Sequence, residues 1–93
     1  MSDTSNPDFP LPPASFDFLV LSLRAQAEVC LGLYPADESG APQKDLARAR
    51  HAIDLLSVLE EKTRGNLSLD EKRLLENSLT ELRFRFVQAQ SPA

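Results

Sequence analysis

Tryptophan is absent from this chain, and cysteine, histidine, methionine and tyrosine each occur once among its 93 residues. With Cys30 alone, neither an intramolecular disulfide nor a thiolate metal cage can form, and a reducing cytoplasm is the natural setting. His51 alone cannot supply the several ligands a metal site needs. The three glycines, at 32, 40 and 65, are isolated, which excludes a glycine-rich phosphate loop. No nucleophile elbow or metal-ligand cluster is present, so no catalytic, cofactor-binding or metal-binding residue is expected. A basic excess is missing as well. Residues 1–42 hold six acids and one base, residues 43–93 eight acids and nine bases, and the formal charge is -4, which argues against phosphate-driven nucleic-acid binding.

Long hydrophobic runs are also lacking. The longest, Phe16 to Leu23, is broken by Asp17 and Ser22 and falls well short of the roughly 20 residues that cross a bilayer, so no membrane span is expected. The start of the chain has Asp3 and Asp8 where a secretory signal would carry lysines. Together these features predict a soluble, cytoplasmic chain.

Residues 1–14 contain Pro7, Pro10, Pro12 and Pro13 among Ser, Asp and Asn, and read as a disordered or extended arm on which Phe9 and Leu11 could dock into a partner groove. Residues 15–90 read as an all-α, three-helix domain, with helices over about 15–33, 43–64 and 69–88. Ser15 is placed to cap the first helix, and Tyr34-Pro35 to end it before a turn-rich loop over 36–42. Gly65 is a helix stop, and Ser68 with Glu71 forms a capping box at the next start, so the last two helices are expected to form an antiparallel hairpin.

The core stripe of the second helix is Leu46, Ala49, Ala52, Ile53, Leu56 and Leu59, edged by Leu55, and that of the third is Leu74, Leu75, Leu79, Leu82 and Phe86. The first helix differs. Phe16, Leu19, Val20, Leu23, Ala27, Cys30 and Leu31 form one apolar face and Phe18, Leu21, Ala25 and Val29 a second, with Asp17, Arg24 and Glu28 as the main polar wedge. Two single-stripe neighbours can cover one of these faces but hardly both. At about 25 cal/mol per Å² of apolar area, leaving Phe18, Leu21 and Val29 wet forfeits several kcal/mol, a large part of a small domain's stability. A homodimer built on the first helix is therefore expected. The candidate interface, for self-association or for another protein, is Phe18, Leu21, Val29, Phe84 and Val87, since Phe84 projects about 160° from Phe86 and away from the core.

Three segments taken together, Phe18–Leu23 with Gln26, Leu31 and Gly32, then Ala49–Leu56, then Leu59–Leu67, resemble a known bacterial family. Followed by Leu74-Leu75 and Leu82–Val87, they are similar over about residues 16–87 to domain of unknown function 1844. The resemblance implies a small helical protein of unassigned activity and supplies no catalytic residue.

Remaining polar groups read as structural. His51 sits at the edge of the second helix's stripe, three residues from Asp54, and is expected to be hydrogen-bonded there. Glu60 and Arg64 have the spacing of an intrahelical ion pair, as do Glu81 and Arg85. Lys62, Thr63, Arg64 and Asn66 form a candidate polar recognition patch around the turn. Arg83, Phe84, Arg85 and Phe86 alternate basic and aromatic residues, but alternate helical positions diverge too far to make one stacking platform. The leading reading is a non-enzymatic, oligomerising protein-interaction module. Two alternatives are a small-molecule binding protein or accessory enzyme subunit, with a pocket between dimer-related helices contacted by His51 or Arg24, and a nucleic-acid binder using Arg48, Arg50 and Arg83.

Overall fold

The computed structural model describes residues 10–35 and 40–90, in which three helices are the only regular elements: α1 (Phe16–Cys30), α2 (Leu46–Lys62) and α3 (Leu69–Gln90). Most of the proline-rich arm, including Phe9, and residues 36–39 of the first loop lie outside the described residues. Residues 10–15 are exposed and carry no regular structure.

Local chemistry sets each helix end. The Ser15 hydroxyl accepts the Phe18 N–H (3.0 Å) and opens α1. The helix stops three residues earlier than Tyr34-Pro35 suggests, because Gly32 adopts φ +82° and turns the chain back on itself. The Leu33 N–H then reaches the Glu28 carbonyl (3.1 Å) and the Gly32 N–H the Val29 carbonyl (3.0 Å), satisfying two orphan acceptors of the last turn. A Cβ at Gly32 would lie 3.0 Å from Lys44 Cγ in addition to straining the backbone. Gly32→Ala should therefore cost about 1–2 kcal/mol, read as a fall of several degrees in the thermal midpoint. Gly65→Ala, at φ +80° with open space around it, should cost only the backbone part.

The second helix begins at Leu46 rather than at 43 or 44. Asp45 caps it by accepting the Arg48 N–H (3.1 Å), and the Asp45 N–H donates to the Cys30 carbonyl (2.7 Å), fastening the start of α2 to the end of α1. The third helix starts as the residues predict. The Ser68 N–H donates to Glu71 Oε1 (2.9 Å), and the Glu71 N–H donates to Ser68 Oγ (3.1 Å).

Val20, Ala27 and Leu31 of the first segment pack with Ala49, Ala52, Ile53 and Leu56 of α2 and Leu75, Leu79 and Leu82 of α3. Phe16, Leu23, Cys30, Leu46, Leu59, Leu74 and Phe86 are half-buried around this centre. Fully buried Ala27, Ala49, Ala52 and Ser78 keep side-chain bulk low where the helices meet, which permits close approach. Arg83 of α3 reaches Ser57 of α2 (2.7 Å), whereas Thr63 beyond the end of α2 shares a cleft with Lys72 and Leu75 near the start of α3. Residue numbers thus rise along one helix as they fall along the other. Between α1 and α3 they rise together, since Arg24 meets Ser78 and Glu81 while Leu31 and Leu33 share a groove with Arg85 and Ala89.

Candidate interaction surface

The buried side of α1 is centred on Val20, Ala27 and Leu31, and one helical half-turn away lies its outer side. There Phe18 and Leu21 are 43% and 47% exposed, and Val29 is half-buried. Leu19, which its position suggested for the core face, is instead 45% exposed on the flank. Ser22 and Ala25 lie between Phe18 and Val29 and are exposed. The Ser22 hydroxyl donates to the carbonyl of Phe18 (2.8 Å), so the only hydroxyl on this face is already satisfied within its own helix. No charged side chain interrupts the face.

On α3, Phe84 and Val87 are 63% and 64% exposed. Val87 borders a shallow groove of about 190 Å³ with Phe86, Ile53, Arg50, Asp54 and Arg83. The groove's cations have partners: Arg50 Nε lies 3.9 Å from Asp54 Oδ2, and Arg83 donates to Ser57. Arg48 likewise faces Asp45 (3.4 Å). The three arginines considered for nucleic acid are thus each engaged within the chain.

Arg24 departs most from its sequence reading. Placed by the sequence in the polar wedge between two apolar faces, it lies along the α1–α3 seam, where its Nε meets Glu28 Oε2 (3.2 Å), Nη1 meets Ser78 Oγ (3.4 Å) and Nη2 meets Glu81 Oε1 (2.6 Å). Arg85 adds a longer contact to Glu81 (3.6 Å), the intrahelical pair expected from their spacing. Burial works against the charged guanidinium of Arg24. The hydrogen bond to Glu28 and the attraction of Glu81 outweigh it, so the pKa is raised above its ordinary value. Ser78 was not singled out by sequence reasoning, although its place three residues after Leu75 and four before Leu82 puts it on the core stripe.

The turn patch is only partly assembled. Thr63 and Arg64 line an open cleft of about 410 Å³ with Glu60, Lys72 and Glu76, against apolar Leu67 and Leu75, but Lys62 and Asn66 are not among its walls. Glu60 and Arg64 form no ion pair, contrary to their spacing, and the Thr63 hydroxyl is committed to the Leu59 carbonyl (2.6 Å). Two acids, Glu60 and Glu76, and two bases, Arg64 and Lys72, line this cleft, so neither sign of charge predominates. His51 is exposed, and Asp54 turns to Arg50 instead of to it. Among the described residues, no cluster of three or more His, Cys, Asp or Glu is placed to hold a metal, and no helix is long and apolar enough to cross a membrane.

A three-helix, all-α domain with an uncharged apolar face left open on its first helix is the class these features define. The chain matches the family described as domain of unknown function (DUF1844) over residues 13–88, and it belongs to that family. No curated protein and no solved structure matches it.

Proposed function

We propose that this chain is a non-enzymatic helical interaction module of the bacterial cytoplasm that self-associates through the outer face of α1, leaving the Phe84–Val87 surface for another protein. The observation that carries this reading is the exposure of Phe18 and Leu21 beside a serine whose hydroxyl needs no outside partner. Such a face gains from an apolar cover and from little else. The lone Cys30 fits a reducing compartment.

The expected strength follows from size. The 15 residues of α1 make a cylinder about 22 Å long and 10 Å across, whose outer half offers about 350 Å². That is below the roughly 800 Å² per partner of standard interfaces, so any self-association through this face is expected to be weak. Sedimentation velocity over about 5–200 μM should show a concentration-dependent dimer. Leu21→Asp, which places a charge in the contact, should keep the chain monomeric throughout that range. Phe84→Asp should leave the sedimentation unchanged. A wild-type chain that stays monomeric at 200 μM would remove the self-association.

A further inference from the structure

Two acids and two bases line the cleft between the end of α2 and the start of α3 without pairing with one another. We infer that this cleft binds a small zwitterion, a free α-amino acid with an aliphatic side chain. The inference goes beyond the self-association proposed above and does not depend on it.

Elsewhere in the chain, an acid and a base four residues apart close into an ion pair: Arg24 with Glu28, Arg50 with Asp54, and Glu81 with Arg85. The same spacing recurs at Glu60 and Arg64 and at Lys72 and Glu76, and among the described residues neither of these pairs closes. Both open pairs border the same cleft of about 410 Å³. The chain leaves α2 at Thr63, which takes Arg64 off the line of Glu60. Order along the helix does not account for Lys72 and Glu76, because Arg24 and Arg50 also precede their acids and still meet them. The pairing capacity of all four groups is left for something outside the chain.

A ligand of one sign would meet as much repulsion as attraction here, whereas one carrying both charges engages both kinds of group at once. The carboxylate of an α-amino acid suits the planar fork of Arg64, and its ammonium donates to Glu76 or Glu60. Half-buried Leu67, backed by buried Leu75, gives an aliphatic side chain an apolar wall. The volume lies near the lower end of the roughly 300–1,000 Å³ of small-molecule sites, which favours a ligand of few atoms.

Titration of the full chain with L-leucine, followed through its backbone amide resonances by NMR, tests the site. With an open cleft and few ligand atoms, the dissociation constant should be about 1 mM, so shifts at Gly65, Leu67 and Lys72 should saturate by about 20 mM. Isocaproate, which is leucine without its ammonium, and isopentylamine, which lacks its carboxylate, should each bind at least about tenfold more weakly. Glycine, with both charges and no side chain, should lose about as much. Arg64→Gln, at an exposed side chain, should weaken leucine about tenfold with the thermal midpoint held within about 3 °C. The double variant Glu60→Gln and Glu76→Gln should weaken it at least as far, and Arg48→Gln, near the other end of α2, should bind as the wild type does. Shifts that are absent, that grow without saturating or that centre away from the turn would overturn the site. Isocaproate or isopentylamine binding as tightly as leucine would overturn the zwitterion, as would unchanged affinity in Arg64→Gln or in the double variant. The analogue series uses the unaltered chain, so it decides the matter even where a variant unfolds, and it reads the same whether or not the chain dimerises.

Discussion

Leu56→Ala should lower the thermal midpoint by about 10–20 °C, measured by far-ultraviolet circular dichroism at fixed protein concentration. Leu56 is completely buried, and it lies in the core formed by residues from all three helices. Removing three carbons there loses their transfer free energy and leaves a cavity that fixed helices cannot close, at a cost of about 2–5 kcal/mol. A domain of this length has a total stability of the order of 5–10 kcal/mol, so the variant should also unfold at markedly lower denaturant. Val58→Ala supplies the contrast. It removes two carbons two residues along the same helix, but Val58 is half exposed, and its loss should stay within about 0.5 kcal/mol. Equal effects at the two positions would mean that α2 does not present the stripe described here.

Arg24→Ala should be the most destabilising change at a charged position, at about 1.5–3 kcal/mol. The side chain is three-quarters shielded, makes two charge-assisted hydrogen bonds and one to buried Ser78, and lays its stem along the α1–α3 seam. Glu81 is more exposed, so its solvent-screened share of the pair is smaller. A double-mutant cycle between Arg24→Ala and Glu81→Ala should give a coupling of about 1 kcal/mol, whereas one between Arg85→Ala and Glu81→Ala should give under about 0.5 kcal/mol. Chemical denaturation of the four variants in each cycle measures both. Equal couplings would show that the 2.6 Å contact has no special weight over the 3.6 Å one.

Those two sites also mark what could and could not be read before folding. Leu56, with Ala49, Ala52 and Ile53, declares itself because polar residues flank the stripe on both sides and fix its centre. The capping box of Ser68 and Glu71 is equally plain, since both partners lie within one turn of chain. On α1 the apolar arc runs almost all the way round, so its own residues leave the centre free to rotate. In the fold the centre lies at Val20, Ala27 and Leu31, with Arg24 beside it bonded to Ser78 and Glu81, 54 and 57 residues away on another helix. In that rotation Leu19 lies on the exposed flank. Local pattern carries no trace of such a pairing, because an arginine beside a glutamate one turn on looks the same whether it faces water or a neighbour. Gly32 was hidden differently: the following Tyr34-Pro35 offered a more conspicuous stop, although the left-handed glycine comes first along the chain.

The bond from the Asp45 N–H to the Cys30 carbonyl bears on how the first connection tolerates added length. It ties the two ends of the first connection together and, with the packed core, holds the start of α2 against the end of α1. Because closure entropy grows only logarithmically, doubling the length of that connection should cost about 0.6 kcal/mol. Lengthening that connection is therefore expected to leave most of the bundle's stability intact.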